Sequence, residues 1–439
     1  MISLALALSG GGSRAAAFHR GVLEGLRETG LLGQVEAVST VSGGSVFGAA
    51  WMAARVRGEA DAEFLARMGE ELERGFIART VRPRLLKTLF PGYTRTNALA
   101  ETFDGLFFGG LALKDLPAAP RLVMNVTVLN HGQVGKFARE GFKCAGLSPP
   151  EGGSPWAPLP DFPLALAAAA SAAFPVGLPP VYLRRGEGGV PQGWGLTPSL
   201  REAKVIALTD GGVLENLGVQ TLLDDRGDFA AWDLVVSDAG TREREWTPGG
   251  LIPRLRGLVM GAVSAPVLER ISVLMNNKED RHMRHRLFEE RERSWLVQAL
   301  REPRVAARPD LRAFLEAEAL GAARRVIMVR VSQDWDHFIL RIPRWRLIGL
   351  AADFEARTGR PAPALPTLDD LPAKEAFLGA VGADLSPARR IYEAMGGGEA
   401  VERANDVPTS FSALSPEEIG ALAGHARWQV WANKAVYWD

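Results

Sequence analysis

Residues 35–44, with the sequence VEAVSTVSGG, decide how this chain folds. The mostly apolar run 35–41 predicts a buried β-strand, and the small residues within 43–56 predict a helix directly behind it. Ser42 then lies on a tight strand-to-helix turn, which exposes its hydroxyl before the positive end of the helix. Such a serine is either a nucleophile or a plain N-cap of the helix, and both interpretations stay open at this point.

A glycine-rich turn follows the first apolar strand of the chain. Residues 3–8 (SLALAL) predict a buried strand, and Gly10, Gly11 and Gly12 come soon after it. Bare backbone N–H groups at the end of a strand can hold an anion, including the oxyanion that forms when a serine attacks an ester. A dinucleotide-binding loop is disfavoured because Ala15 stands where the third glycine of G-x-G-x-x-G would be, and no G-K-[ST] follows to make a P-loop. A simple tight turn remains an alternative.

Predicted strands and helices alternate along most of the chain. Further strands are predicted at 121–129, 203–209, 232–237 and 325–331, and helical patterns at about 15–28, 213–224 and 251–300. This alternation predicts an α/β fold with a mostly parallel central sheet covered by helices on both faces. We expect a single domain over 1–439, with loop insertions at about 77–118, 145–163 and 184–197 and a C-terminal helical extension at about 375–439.

The composition excludes several classes of protein. The 51 basic and 51 acidic residues balance, so no overall charge favours nucleic acid as a partner. The single Cys144 forms no intrachain disulfide and no C-x-x-C site. No calcium loop or cluster with metal-ligand spacing occurs in the sequence, so we expect neither a metal nor a cofactor. No signal peptide is visible and prolines interrupt the longest uncharged stretch, 162–183, so we expect a cytoplasmic protein without a transmembrane helix.

A nucleophilic serine needs a base, and the sequence offers two candidates. None of the histidines stands in a recognisable triad setting; they are His19, His131, His282, His285, His337 and His425. Asp210 and Asp238 each end an apolar strand, and the carboxyl ends of parallel strands share one edge of the sheet, where either could reach Ser42. Gly211-Gly212 permits a sharp turn after Asp210, which gives this residue a modest advantage. Burial among apolar strands would raise the pKa of such a carboxylate and make it a better base.

In their order and spacing, these motifs resemble those of the patatin-like phospholipase family. The family combines a GGG-x-R loop, a serine elbow and an Asp-Gly-Gly segment, which are here GGGSR (10–14), VSGGS (41–45) and DGG (210–212). Supporting segments follow in the same order at 95–110, 170–181, 210–219 and 407–422. The resemblance therefore covers nearly the whole chain.

The resemblance implies an α/β fold related to the α/β-hydrolases and the hydrolysis of lipid acyl esters by a Ser–Asp dyad without histidine. By position, Ser42 is implied as the nucleophile and Asp210 as the base. The implied oxyanion hole consists of Gly10, Gly11 and Gly12 with the N–H of Gly43, and Arg14 helps to position it. An acyltransferase, which passes the acyl group to an alcohol, and a catalytically inactive lipid-binding protein of the same fold are the alternatives.

The chain departs from the family pattern at two positions. Thr40 stands where the elbow has its first glycine, and Ala15 stands where many members continue with glycine. Both positions bear on the fine geometry of the site rather than on the class of reaction.

A lipid substrate would make the membrane surface a peripheral partner of this protein. Residues 79–93 (RTVRPRLLKTLFPGY) interleave basic and apolar side chains, which fits either an interfacial segment or an ordinary amphipathic helix packed on the sheet. We expect no nucleic-acid partner, and the sequence indicates no particular oligomeric state.

Overall fold

The computed structural model describes residues 3–76, 92–149, 153–175, 177–186, 189–195, 202–224, 233–240 and 325–438, with single positions between these ranges. The strands are β1 (Leu4–Leu8), β2 (Val35–Val41), β3 (Arg121–Val128), β4 (Gln133–Ala138), β5 (Gly141–Cys144), β6 (Val181–Arg184), β7 (Val205–Asp210), β8 (Asp233–Asp238) and β9 (Val326–Arg330). The helices up to β9 are α1 (Gly12–Glu28), α2 (Gly43–Val56), α3 (Asp61–Arg74), α4 (Arg95–Phe103), α5 (Leu164–Ser171) and α6 (Gln220–Asp224). The helices after β9 are α7 (Trp335–Leu340), α8 (Arg344–Thr358), α9 (Leu371–Ala380), α10 (Ser386–Ala394), α11 (Gly397–Asp406) and α12 (Pro416–Tyr437).

The strands form one sheet with a parallel centre. In the order β3-β2-β1-β8-β9, each strand runs parallel to its neighbours, which confirms the predicted α/β class. All five residues of β1 are buried, as expected for a strand in the middle of a parallel sheet. β4 and β5 extend the β3 edge with antiparallel pairing, and the β6–β7 hairpin also joins β3. β4, β5 and β6 were not predicted from the sequence, because their residues (QVGKFA, GFKC and VYLR) do not form the long apolar runs that mark the central strands.

Helices cover both faces of the sheet, as predicted. Leu6 and Leu8 of β1 pack in the core that includes α1 and α2. Ala5 and Ala7, whose side chains point the other way, pack in a second core with Leu222 of α6. The carboxyl ends of the central strands therefore emerge from a sheet that is buried on both sides.

The C-terminal helices close one side of the molecule against α1. Two glycines of α1 permit a close approach of α12: a Cβ on Gly25 would lie 2.8 Å from Cβ of Val430, and one on Gly21 would overlap the carbonyl oxygen of Ala423. The segment that leads into α12 reaches back to the glycine turn before α1, since Ser410 accepts a 2.7 Å hydrogen bond from the N–H of Ser13.

β7 lies in line with β2, not beside it. β2 pairs with β3 up to Val41↔Asn125, and β7 pairs with the next residues of the same edge of β3, beginning at Val126↔Asp210. Because β7 is antiparallel to β3, the carboxyl ends of β2 and β7 meet head-on. Asp210 was expected to lie near Ser42 because the two strands would be parallel, and this reason is wrong. The two residues come together because β2 and β7 run toward each other along β3.

The helix predicted over 213–224 is also corrected by the structure. A short 3₁₀ turn covers Gly211–Val213, and the α-helix begins only at Gln220. The carboxylate of Glu215 accepts hydrogen bonds from the backbone N–H groups of Leu217, Gly218 and Gln220, which removes the donors that a continuous helix would use. Gly218 also has a φ of 75°, a conformation that interrupts a right-handed helix.

Two predicted segments lie largely outside the described residues. The structure describes only isolated positions of the charged stretch 251–300 and, of the proposed interfacial segment 79–93, only Arg84, Lys87, Phe90, Gly92 and Tyr93. Within the part of the chain that is described, no helix is both long enough and apolar enough to cross a bilayer.

Candidate active site

Ser42 occupies a strained turn between β2 and α2. Its φ of 51° and ψ of −120° make it the one non-glycine residue with positive φ among those described. A Cβ on Gly44 would overlap the carbonyl oxygens of Leu8 and Ser9, at 2.4 and 2.7 Å, so helix α2 approaches the end of β1 only because Gly44 has no side chain. The same close approach leaves the Ser42 side chain 8% exposed at the top of the sheet. Strain of this kind is typical of a nucleophile elbow.

The structure brings Ser42 and Asp210 together. Oγ of Ser42 donates a 2.8 Å hydrogen bond to Oδ2 of Asp210, and the N–H of Gly212 donates a 2.7 Å bond to Oδ1. The main chain of Asp210 is fixed as well, because its N–H donates to Ala173 and its carbonyl accepts from the Thr127 hydroxyl at 2.8 Å. Both oxygens of the carboxylate are thus oriented before any substrate binds.

Burial raises the pKa of Asp210 to about 7. The side chain is 3% exposed, and desolvation of the charged form outweighs the hydrogen bonds from Ser42 and Gly212, which lower the pKa. No ion pair to Asp210 occurs among the described residues. A carboxylate in this environment holds a proton far more tightly than an exposed aspartate does, as a general base at neutral pH must.

The glycine turn lies directly against the start of α2. A Cβ on Gly43 would be 2.6 Å from the backbone nitrogen of Gly12, so these two backbones touch only because Gly43 has no side chain. Gly11 and Gly12 have φ values of 140° and 61°, which glycine adopts without penalty. In the described part of the chain, the N–H groups of Gly11, Gly12 and Gly43 have no backbone acceptor outside their helices. Free donors next to a serine hydroxyl are the arrangement that an oxyanion needs.

Gly10 does not fit the predicted role of an oxyanion donor. Its N–H donates a 2.9 Å hydrogen bond to the carbonyl oxygen of Asn216, so it is not available to a substrate. A Cβ at this position would lie 3.1 Å from Cβ of Ser42 and would overlap Oδ1 of Asn216. Gly10 therefore serves the site by its small size, and Asn216 is a neighbour of the site that the sequence did not single out.

Arg14 places a buried cation beside the glycine turn. Its side chain is 6% exposed, and a Cβ on Gly11 would lie 3.2 Å from Nη2 of Arg14. Burial lowers the pKa of Arg14 to about 10, with an opposing contribution from Asp238, so the guanidinium remains charged at neutral pH. Its Nη1 donates a 3.0 Å hydrogen bond to the carbonyl of Val407, which anchors the arginine to the segment before α12.

A chain of hydroxyl groups supports the strained turn from below. The N–H of Ser42 donates a 3.0 Å hydrogen bond to Oγ of Ser171, which in turn donates a 2.6 Å bond to the carbonyl of Asn125. Oγ of Ser45 bridges Ser171 and Thr40, at 2.8 Å from each. The sequence did not indicate this chain of hydroxyl groups, although Ser171 lies within 170–181, one of the segments that resemble the family pattern.

Thr40, the departure from the elbow pattern, has a structural explanation. Its hydroxyl belongs to the chain just described, and its methyl group fits against α2 because Gly48 has no side chain: a Cβ on Gly48 would lie 2.8 Å from Cγ2 of Thr40. The larger residue two positions before the serine is therefore accommodated by Gly48, six residues after the serine.

Asp238, the rival base, has other partners. It is 1% exposed, and its Oδ2 lies 2.9 Å from Nη2 of Arg284 and 3.9 Å from Nε of Arg330. Oδ1 accepts the N–H of Gly240 at 2.9 Å. An aspartate held between two arginines is a structural ion pair rather than a base for a serine.

The described histidines are engaged elsewhere or lie without polar partners. Nε2 of His19 lies 2.8 Å from the carbonyl of Ser9 and Nδ1 lies 2.7 Å from Oγ of Ser237, and burial lowers its pKa to about 4, so it is neutral. His425 bonds to the carbonyl of Val331, and His337 bonds to Asp334. His282 and His285 lie outside the described residues, and in the described part no group of acidic, histidine or cysteine side chains could hold a metal ion.

The site region matches a known protein family. The model of the family described as patatin-like phospholipase matches residues 6–223, which include Ser42, Asp210 and the glycine turn. Among curated proteins, none matches this sequence.

Solved structures with a related backbone are remote. Human GIVD cytosolic phospholipase A2 is 14% identical with a TM-score of 0.40, and the match covers 60% of this chain and 46% of that one. VipD from Legionella pneumophila is 14% identical with a TM-score of 0.28, covering 59% of this chain and 53% of that one. The match thus spans about half the length of each of these two proteins.

Proposed function

Since this chain belongs to the patatin-like phospholipase family through residues 6–223, we propose that it is a serine lipid acyl hydrolase. Its substrates would be carboxylic esters of phospholipids, lysophospholipids or acylglycerols. The observation that carries the proposal is the 2.8 Å hydrogen bond from the strained Ser42 to the buried Asp210.

Acylation begins with proton transfer from Ser42 to Asp210. As the hydroxyl oxygen attacks the ester carbonyl, Oδ2 accepts its proton, which the raised pKa of Asp210 favours. The carbonyl oxygen becomes an oxyanion within reach of the N–H groups of Gly11, Gly12 and Gly43. Losing one such donor typically costs about 10²–10³ in rate.

Collapse of the tetrahedral intermediate returns the proton. Asp210 protonates the leaving alcohol oxygen, the carbon–oxygen bond breaks, and the acyl group remains on Ser42 as an ester. A water molecule then attacks this ester with Asp210 as its base, which releases the fatty acid and restores the hydroxyl. The buried cation of Arg14 supports both steps because it favours negative charge beside the glycine turn.

Labelling by a fluorophosphonate tests the nucleophile directly. We expect wild-type protein to be labelled on Ser42 and to release fatty acid from a mixed-lipid extract, and Ser42→Ala to lose both. Ser13→Ala is the matched control: this buried hydroxyl has no hydrogen-bond partner in the described part of the chain, so its removal leaves both signals.

The products identify the acceptor of the acyl group. If all of the released acyl groups appear as free fatty acid, even when glycerol or a lysolipid is present, the reaction is hydrolysis. A new ester of the added alcohol would assign acyl transfer. Retained release of fatty acid by a clean Ser42→Ala preparation would refute the proposed mechanism.

A further inference from the structure

We propose that the outer face of the β6–β7 hairpin is a docking surface for an anionic lipid bilayer. This docking face consists of Leu129, Tyr182, Arg184 and Val205. The proposal rests on the proposed function, because the bilayer would hold the ester substrate, and it places membrane contact on a surface other than segment 79–93.

The docking face exposes apolar side chains where a solvated sheet face normally carries polar ones. Leu129 is 50% exposed, Tyr182 is 59% exposed and Val205 is 37% exposed. Along β6 the burial alternates strictly, with Val181 and Leu183 buried beneath the hairpin. An antiparallel hairpin of this kind is expected to be polar on its outer face, so the three outward residues are an exception that needs a partner.

These side chains form one continuous patch. Tyr182 pairs with Ala207, and Leu129 follows on from Val128↔Leu208, so that Leu129, Ala207 and Tyr182 form a row across three strands. The 2.9 Å hydrogen bond from the N–H of Leu129 to Ala207 fixes this row. Val205 lies two residues before Ala207 and hence on the same face. Cross-strand neighbours on one face contact each other, so the patch is a single apolar surface.

The charges around the patch favour an anionic surface. Arg184 pairs with Val205 across the hairpin, so the exposed arginine lies on the docking face itself. Lys204, which directly precedes β7, and Glu202 are both exposed. A tyrosine with adjacent basic residues is typical of surfaces that lie at the boundary between lipid headgroups and acyl chains.

The patch is connected to the dyad by a single strand. β7 begins at Val205 on the docking face and ends at Asp210, which corresponds to about 17 Å at the usual rise of a strand. A bilayer on this face would therefore lie beside the far end of the strand that carries Asp210.

Vesicle sedimentation tests the docking face independently of hydrolysis. The parent protein is Ser42→Ala, so that the lipid stays intact, and the vesicles contain phosphatidylcholine alone or phosphatidylcholine with phosphatidylserine. We expect binding to the anionic vesicles and a loss on the order of ten-fold when Leu129 and Val205 are both replaced by serine. Arg184→Glu should weaken binding to the anionic vesicles by at least about five-fold and have little effect on neutral ones.

The chain offers a matched control for each change. Leu368 and Leu365 are 50% and 37% exposed, the same fractions as Leu129 and Val205, so Leu365→Ser with Leu368→Ser removes at least as much apolar surface elsewhere. Arg360→Glu, on an exposed loop, matches Arg184→Glu. Both controls should bind the anionic vesicles like the parent. Circular dichroism checks that each variant is folded, and if the Leu129/Val205 variant is not, Arg184→Glu decides.

Three results would overturn the docking face. They are an equal loss in the Leu365/Leu368 control, unchanged binding in the Leu129/Val205 variant, and no vesicle binding by the parent. A shift in oligomeric state of the Leu129/Val205 variant, with vesicle binding unchanged, would assign the patch to a second copy of the chain instead. If the wild-type enzyme still cleaves a soluble short-chain ester, the proposed hydrolase survives while the docking face fails.

Discussion

The ends of β7 and β8 carry two buried aspartates with opposite surroundings. Asp210 and Asp238 are 3% and 1% exposed, and each accepts a backbone N–H two residues ahead. Asp238 also has Arg284 within 2.9 Å, whereas the other partner of Asp210 is the neutral hydroxyl of Ser42. The two aspartates are equally buried and lie in the same type of turn. A nearby cation compensates the charge of Asp238, and no cation compensates the charge of Asp210.

This difference supports a structural role for Asp238 and the proposed role of base for Asp210. A buried carboxylate between cations has its charge compensated, whereas a buried carboxylate without a cation favours its protonated form. The pKa of Asp210 is raised to about 7 for this reason. The strain at Ser42, the free glycine amides and the buried carboxylate without a cation all lower the stability of the fold, and the proposed catalytic role would explain why they are present.

Neutralising the two aspartates one at a time should separate their roles most strongly. Asp210→Asn removes the proton acceptor of Ser42, and we expect fatty-acid release to fall on the order of 10⁴-fold. Asp238→Asn leaves Arg284 and Arg330 without their carboxylate, and we expect the free energy of unfolding to fall by about 2 kcal/mol, since Arg284 is partly hydrated. Initial rates on a soluble ester and denaturant unfolding curves measure the two effects.

The contrast between the two aspartates would be wrong if Asp238→Asn lost activity and Asp210→Asn kept it. Folded Asp238→Asn should keep its turnover per folded molecule. An inactive but fully stable Asp238→Asn, together with an active Asp210→Asn, would move the base to β8.

The pH dependence of turnover should report the uncompensated carboxylate. Asp210 accepts a proton only when ionised, so with a pKa of about 7 we expect kcat/KM to rise with pH and level off above about 7. Well below that value, kcat/KM should fall about ten-fold for each pH unit. Rates on a soluble ester between about pH 5 and about pH 9 measure it, and a profile that is flat over this range would exclude Asp210 as the base.

Much of this arrangement could be predicted from the sequence, because it depends on local patterns. The apolar runs of β1 and β2, the small residues at Gly43 and Gly44, and the glycines before α1 are all contiguous signals that tertiary contacts reinforce. The parallel centre of the sheet follows from their alternation with helices.

What the sequence could not supply depends on distant contacts. The choice between Asp210 and Asp238 turns on Arg284, 46 residues after Asp238 in the chain, and on the antiparallel direction of β7. The loss of Gly10 as a donor depends on Asn216, and the support of Ser42 depends on Ser171. No periodicity encodes such pairings, since each is set by how separate elements pack.

The smallest expected effect is on stability, and it has the opposite sign to the effect on activity. The folded-state pKa of Asp210, about 7, lies above its ordinary value of 3.8, so the folded protein binds a proton that the unfolded chain releases. Its ionisation therefore removes stability as pH rises from about 4 to about 7. Asp210→Asn cannot ionise, and we expect its Tm to exceed that of the wild type by about 5 °C at alkaline pH, with the difference shrinking toward about pH 4.

Glu215, whose pKa burial also raises to about 7, is present in both proteins, so the difference between them isolates Asp210. Asp238→Asn should instead lower Tm throughout this pH range. A lower Tm for Asp210→Asn than for wild type at alkaline pH would mean that the carboxylate at the end of β7 is compensated after all, and that the contrast between the two strand ends does not hold.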